Sequence, residues 1–521
     1  MARMSGITYP PNLTEELVTH LITEVKDWQS THGSLLKLVR TENEHTVLCR
    51  PIGVSLFPSL FPKACFEEAV QIQTIYNKLY VAISEDAQWL FDVLQDLIKE
   101  DYLASTLWKI HTRVDHEGTV QDLTLGIFRS DYMLDSSYEG PTSMKQVEFN
   151  TFSCAGGTHG NRTSEMHRHF QRSGVYDIES SSEYAMPAGI IPPNDTIHSL
   201  VEALSAAHGA YGPPRGEDLI QTCILIVVQP YNINICDERP IEYGLWESTP
   251  PIPAYRVCFG EEILASTSLT ASKQLLYHPQ GRSSTPLEVS VVYMRAGYDA
   301  EEYDDYGYRS RFQLEQSQAI KCPSILCHLA TFKKVQQALA MPGALLRFLP
   351  PDEAARVART FAPLYPLDTS QLGLQAREVA CDPGAVVDYV LKPSLEGGGH
   401  NVYRSDIPCA LERIPKDSWH QYILMRLMRP PPLQNILMSH QGVYQGLVIS
   451  ELGIFGACLW RRNSSVGSRE SKGLYNEPDL IMNRNAGWSF KTKRQDVNEM
   501  SVVKGYGCFD SPLLLDFASS T

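Results

Sequence analysis

The chain has 521 residues, of which 43% are hydrophobic and 20% charged, with a formal net charge of -15. That is the balance of a folded globular protein rather than a disordered one, at a length suited to about two to four lobes. An acidic surface repels phosphate backbones, which excludes nucleic acid as a main partner, and no apolar run approaches the ~20 residues of a membrane span.

The first residues, Met-Ala-Arg-Met-Ser-Gly, carry no apolar stretch of an export signal. The 12 cysteines form no Cys-x-x-Cys pair, so reduced thiols in a cytoplasmic protein are expected. Leu17, Leu21, Val25 and Trp28 recur at helical spacing, as do Val70, Ile72, Ile75 and Leu79; a third segment follows at Trp89, Leu90, Val93 and Leu94. These stripes are core or dimer faces and carry no chemical signal. From Leu123 the pattern changes. Residues 124–128 read as a strand ending at Arg129, and residues 145–150 as another ending in a Gly-rich turn at 154–160. Pro and Gly thicken between 187 and 216, as in a connection between lobes. Runs at 223–228 and 289–295 predict strands, 329–346 a long helical region, 386–392 a strand ending at a Gly-rich loop, and 448–460 a hairpin or strand pair. Strands interleaved with helices predict an α/β or α+β architecture.

The strongest local chemical signal is Lys392-Pro-Ser-Leu-Glu396-Gly397-Gly398-Gly399-His-Asn401. Consecutive glycines let backbone N–H groups approach an anion, because no Cβ blocks the way. Lys392 supplies a point charge for phosphate, and Glu396 is placed to hold a Mg²⁺ that also touches phosphate. A bare glycine triplet is equally a surface turn; the framing Lys and Glu are what raise it, and the segment lacks the P-loop pattern. A second signal is Glu148-Phe-Asn150. Residues two apart in a strand face one side, so a carboxylate and an amide oxygen would point together as hard-cation donors. The remaining cations, Arg129, Arg295, Lys333, Lys491 and Lys493, are individually unremarkable surface charges. The acidic loop at 299–308, with Glu301, Glu302, Asp304 and Asp305, reads as a solvated face and not a metal site.

Taken in chain order, these segments resemble eukaryotic glutathione synthetase. The matching stretches are Arg129-Ser-Asp-Tyr-Met133, Glu148-Phe-Asn-Thr-Phe-Ser153, Val291-Val-Tyr-Met-Arg-Ala-Gly-Tyr298 and Ala319-Ile-Lys-Cys-Pro323. They continue with Lys333-Lys-Val-Gln-Gln337, Tyr389-Val-Leu-Lys-Pro393 and its Glu-Gly-Gly-Gly, Tyr422-Ile-Leu-Met425, Ser450-Glu-Leu-Gly-Ile-Phe-Gly456 and Lys491-Thr-Lys493. The resemblance implies an ATP-grasp fold with a helical N-terminal part and first core strands (1–215), an inserted substrate-binding subdomain (216–330) and a nucleotide-binding region (331–521) with a Gly-rich lid at about 366–447. It implies a homodimer, and a reaction that joins γ-glutamylcysteine to glycine through an acyl phosphate, with ATP hydrolysed to ADP and phosphate. Glu148, Asn150 and Glu396 would hold Mg²⁺. Lys333, Lys392, Glu396, Gly397, Gly398, Gly399, Asn401, Tyr403, Glu451 and Lys493 would hold ATP, with Met425 and Arg426 beside the adenine. Arg129, Ser153, Asn234, Arg295 and Tyr298 would line the donor site. Arg129 and Lys491 are the candidate catalytic cations.

The sequence departs from the family around the substrates. Ala155 stands where Ser is usual, Asn232 where Glu is expected, Glu238 where Gln is expected, and Ala296 where Asp is usual. Lys491 replaces the Arg that holds the acceptor carboxylate, which keeps the charge and loses the bidentate fork. The small Ala-rich loop over the acceptor is here Val502-Val503-Lys504-Gly505, and the adenine-side Met-Glu-Lys is Met425-Arg426-Leu427. An alternative left open is therefore a paralogue that ligates a different acid to a different amine in specialised metabolism. An inactive binding protein, and a kinase that releases its acyl phosphate, are further alternatives; retention of the metal and phosphate ligands argues against the first.

Overall fold

The structure is a computed structural model that describes residues 9–11, 13–38, 48–136, 142–177, 189–216, 219, 221–279, 285–394, 401–462 and 477–516. The helical stripes at the start of the chain form the helices Glu15–Thr31, Lys63–Ser84 and Ala87–Glu100, and a fourth, Tyr102–Glu117, follows directly. Side-chain oxygens cap three of them: Thr14 accepts from the Leu17 N–H at 3.3 Å, Asp86 from Trp89 at 3.0 Å and Asp101 from Ala104 at 2.7 Å. Each takes up a backbone donor that has no partner inside its helix. The Lys63–Ser84 helix buries Tyr76 and Tyr80 against Phe149 of the central sheet, with ring centroids 5.5 and 3.8 Å apart.

The long strand Gly442–Arg461 is the spine of that sheet. It pairs antiparallel with Asp479–Arg494 on one side and Leu123–Asp135 on the other. The far edge of Leu123–Asp135 is shared: Ser143–Asn150 runs antiparallel along its second half, and Ile320–Cys322 parallel at its start. Beyond Ile320–Cys322 the sheet is parallel through Leu287–Met294, Thr222–Val228 and Ala254–Cys258. Thr222–Val228 is buried along its whole length, as a strand covered on both faces must be. The helices Thr196–Tyr211 and Ile235–Trp246 cover one of those faces through Leu200, Leu204, Ile241 and Leu245.

A second sheet, with the order Leu364–Pro366, Tyr422–Arg426, Tyr389–Pro393 and Val402–Tyr403, is antiparallel throughout. Alternation gives it two faces. Leu391 and Leu424 join Ala376, Ile407 and Trp419 in a core of its own under the helices Gln371–Cys381 and Asp406–Glu412. Val390, Ile423 and Met425 form a separate apolar cluster on the opposite side. Strands and helices are mixed as the sequence predicts. Among the described residues no helix is long and apolar enough to cross a membrane.

Four expectations need correction. The strand begun at Leu123 runs on to Asp135, so Arg129 lies in its middle. The stretch read as a connection between lobes contains the buried helix Thr196–Tyr211, whose period the flanking Pro and Gly hide. The helical region at 329–346 is broken into Ile325–Leu329, Lys333–Leu339 and a 3-10 turn at Ala344–Arg347; Gly343, at φ 80°, starts the last piece. The pair expected at 448–460 is one strand, and its partner lies at Asp479–Arg494.

Candidate active site

A cavity of about 450 Å³ has walls from both sheets. Its floor is set by the pairing of Leu123–Asp135 with Ser143–Asn150. Arg129 lies opposite Asn150, and Asp131 opposite Glu148, so alternation turns all four to one face. Arg129 grips Asp131 with two bonds of 2.7 Å, and its remaining nitrogen donates to the Ala155 carbonyl at 2.8 Å. Asn150 Nδ2 donates to Asp131 Oδ2 at 3.1 Å and to Glu148 Oε1 at 3.4 Å. A bulge follows, because the next pair is Tyr132 with Gln146, leaving Val147 unmatched. Its carbonyl oxygen accepts from Lys392 Nζ at 3.2 Å, so the residue that a bulge takes out of the ladder supplies an anchor.

Charge is concentrated here. Burial alone would raise the Glu148 carboxyl, but Lys333, Lys392, Arg129 and Lys491 outweigh it and bring the pKa to about 2. Glu148 is thus an ionised oxygen donor surrounded by cations. Burial lowers Lys392 to about 8, with Lys333 adding to the fall and Glu148 opposing it. Burial works against the Arg129 guanidinium as well, but Asp131 holds it charged. Lys491 Nζ donates to Glu451 at 2.6 Å. Lys493 Nζ donates to the carbonyls of Val497 and Asn498 at 2.8 and 2.7 Å. Tyr403 of the smaller sheet reaches the same loop, its hydroxyl 3.3 Å from the Asn498 oxygen and 3.2 Å from Glu499 Oε1.

The other end of the cavity is built by the turn after Asn150. Ser153 adopts left-handed backbone, φ 47°, a conformation that costs roughly 1–2 kcal/mol in a non-glycine residue. The next two carbonyls each hold an arginine: Cys154 accepts from Arg295 at 2.5 Å, and Ala155 from Arg129. Asp237 caps the helix that follows, accepting from Gly156 and Thr158 at 2.9 and 3.0 Å, and lies 3.6 Å from Arg295. Glu238 accepts from Asn232 Nδ2 at 2.6 Å and from Arg256, and is 3.5 Å from Arg295 Nε. Tyr298 is fixed by Glu302, whose carboxylate accepts the backbone N–H groups of Gly297, Tyr298 and Asp299 at 3.1, 3.0 and 3.0 Å.

Glu148 and Asn150 offer two hard oxygens beside Lys333 and Lys392. Magnesium is commonly held by one or two carboxylates together with phosphate and water, so this pair fits it. Among the described residues no cluster of three or more His, Cys, Asp or Glu could hold a metal without such help. Val147, Val390, Met425, Leu427, Met428 and Ile449 supply apolar wall next to these charges, suited to a flat base.

A family model described as eukaryotic glutathione synthase, ATP binding domain, matches residues 15–514. The chain belongs to the eukaryotic glutathione synthase family. Glutathione synthetase of Homo sapiens is 36% identical over 91% of this chain and 93% of its own length. The glutathione synthetase large chain of Schizosaccharomyces pombe is 34% identical over 96% and 98%. A solved structure of a glutathione synthetase-like effector from Globodera pallida superposes with a TM-score of 0.70 at 21% identity, covering 97% of this chain and 98% of that one. The expected ATP-grasp fold and ligase class hold for this chain.

Nearly all the glutathione synthase-like residues named from the sequence come together on this cavity. Glu148 and Asn150 lie among Lys333, Lys392, Glu451 and Lys493; Asn401, Tyr403, Met425 and Arg426 line the side formed by the smaller sheet. Arg129, Ser153, Ala155, Asn232, Asn234, Glu238, Arg295 and Tyr298 line the other end, and Lys491 is on the wall. Glu396, Gly397, Gly398 and Gly399 lie outside the described residues. Val502 and Val503 are not on the wall: Val502 packs in a core with Val54, Ile436 and Phe509, and Val503 lies against that core. Branched apolar side chains at the loop base turn inward, and Glu499 and Met500 face the cavity instead. Asp131, Arg256 and Glu302 hold the site's side chains in place without belonging to the residues that the sequence singles out for it. Arg129-x-Asp131 has the same alternation as Glu148-x-Asn150 and could have been read; Glu302 was grouped with a solvated face, where Glu301 and Asp305 do lie exposed.

Proposed function

We propose that the chain ligates γ-glutamylcysteine to glycine with ATP, forming glutathione, ADP and phosphate. The observation that carries this reading is the single cavity in which Glu148 is surrounded by Lys333, Lys392, Arg129 and Lys491. A carboxylate is a poor electrophile, so the donor must first be activated. Its oxygen attacks the γ-phosphorus of ATP, ADP leaves, and an acyl phosphate forms. Lys333 and Lys392 neutralise the migrating phosphoryl group. Mg²⁺, held by Glu148 and Asn150 and, as the resemblance implies, Glu396, would spread that charge further. Arg129 and Arg295 hold the donor. The neutral glycine amine then attacks the acyl carbon, and phosphate leaves with the oxygen it received. Lys491 is the cation for the glycine carboxylate.

The departures around the donor support the same pair. The acid expected at 232 and the amide expected at 238 have changed places, and Asn232 and Glu238 remain hydrogen-bonded, so one carboxylate is retained. At Ala155 the backbone carbonyl makes the contact to Arg129, and only a hydroxyl is lost. We assign the lid to the smaller sheet and its helices (about 366–447), the donor subdomain to 216–330 and the N-terminal part to 1–215. Closure of the lid would keep water from the acyl phosphate. Mg²⁺ dependence, a cytoplasmic location and a homodimer accompany this reading.

The test is phosphate release with the purified chain, ATP and Mg²⁺, comparing γ-glutamylcysteine plus glycine with panels of other acids and amines. Turnover on the order of 1 s⁻¹ or faster, dependent on both partners, is expected. Release with a different acid and amine, and none with this pair, overturns the reading.

A further inference from the structure

Asp131 has no assigned role, yet it accepts three hydrogen bonds from two residues of the cavity wall, Arg129 and Asn150. It is 1% exposed. Both of its oxygens are engaged by Arg129 at 2.7 Å, and Oδ2 also accepts from Asn150 Nδ2 at 3.1 Å. Asn150 turns its nitrogen to two carboxylates, Asp131 and Glu148. That orientation is dictated by chemistry, since an amide oxygen facing two carboxylates would be repelled and both donors left unused. The amide oxygen is therefore directed away from Asp131 and is available to a cation. The same carboxylate sets the guanidinium of Arg129, whose third nitrogen is tied to the Ala155 carbonyl.

The neighbouring strand leaves room for this arrangement. Gly453 lies opposite Asp131 in the register. A Cβ there would meet Ser489 Oγ at 2.6 Å, Asp131 Oδ1 at 2.7 Å and the Arg129 side chain at 3.1 Å. Any larger residue would crowd both the ion pair and the Ser489 hydroxyl, so the glycine in Ser450-Glu-Leu-Gly-Ile-Phe-Gly456 leaves the room that the carboxylate occupies.

We propose that Asp131 is a positioning residue that sets two subsites at once, aiming Arg129 at the donor and fixing the Asn150 carboxamide so that its oxygen faces the cation. This rests on the ligase reading for the identity of the donor and the cation. The two subsites are thereby coupled through one buried group that touches no substrate.

The experiment measures two constants in the full-length chain and in Asp131→Asn. The first is the Mg²⁺ concentration that half-saturates ADP binding, read by calorimetry without turnover. The second is the KM for γ-glutamylcysteine. Both should rise by about tenfold or more, the scale of losing a group that orients a metal ligand, while circular dichroism shows the fold retained. Arg129→Lys should raise the donor KM and leave the Mg²⁺ constant near its wild-type value. The exchange Asp131→Asn with Asn150→Asp, which restores an acid–amide bond in reverse, should recover Mg²⁺ affinity and not donor affinity. If Asp131→Asn does not fold, Gly453→Ala displaces the same carboxylate and should give the same two shifts. A folded variant in which either constant is unchanged, or in which only kcat falls, overturns the role of Asp131. Absence of Mg²⁺-dependent ADP binding in the wild type strikes at the ligase reading instead.

Discussion

Lys392 is a cavity residue whose charge is open to control. Burial and the neighbouring Lys333 bring its pKa to about 8 against the pull of Glu148. A nucleotide phosphate beside it favours the ammonium form, so its pKa in the complex must be higher than in the free chain. Between those two values, binding takes up a proton. Nucleotide affinity is therefore greatest below about pH 8 and falls as pH rises through that value. Calorimetry of ADP binding at pH 8.5 (about half a unit above that midpoint), in buffers of different ionisation enthalpy, should show proton uptake in the wild type and none in Lys392→Arg. Equal uptake in both would reject the assignment. At this scale the sequence was readable where chemistry and alternation coincide, as in Glu148 and Asn150. It was not readable where burial decides the role. Glu302 looks like any surface acid in sequence, and only the chain folded around it turns it to three backbone N–H groups.

Among the elements, the helix Gly157–Ser173 begins inside a stretch whose glycines predict a turn. Gly156, at φ 88°, makes the turn and Asp237 caps the helix behind it, but Gly157 and Gly160 serve packing. A Cβ on Gly160 would lie 2.7 Å from the backbone oxygen of Trp488 in the strand Asp479–Arg494. Two effects compete in Gly160→Ala. Helix propensity favours alanine by about 1 kcal/mol, whereas overpacking a rigid backbone contact costs about 1–3 kcal/mol. The backbone cannot swing aside as a side chain would, so a net loss of stability and a lower thermal midpoint are expected. A midpoint equal to or above wild type would show that the helix can shift. The strand Gly442–Arg461 was legible only in part for a different reason. At 20 residues it is far beyond the usual strand length of about 5–6, and it is kept continuous by successive ladders to Leu433–Ser439, Asp479–Arg494 and Leu123–Asp135.

Over the whole molecule, a chain of net charge -15 turns Arg129, Arg295, Lys333, Lys392, Lys491 and Lys493 into one cavity. The surface stays acidic while the interior of the cleft is suited to phosphate and carboxylate, which gives selectivity for small anions over large ones. The fold class and the order of the segments could be read from sequence, because patterning and motif order survive without side-chain contacts. The placement of Val502 could not, since whether a loop residue faces a core or a cleft depends on what packs beneath it. The deciding measurement follows one oxygen atom. With γ-glutamylcysteine labelled with ¹⁸O in the carboxylate that is ligated, an acyl phosphate transfers one labelled oxygen to each phosphate released. Phosphate bearing that label, formed in step with glutathione, is the expected result; glutathione formed with unlabelled phosphate would contradict ligation through an acyl phosphate in this cavity.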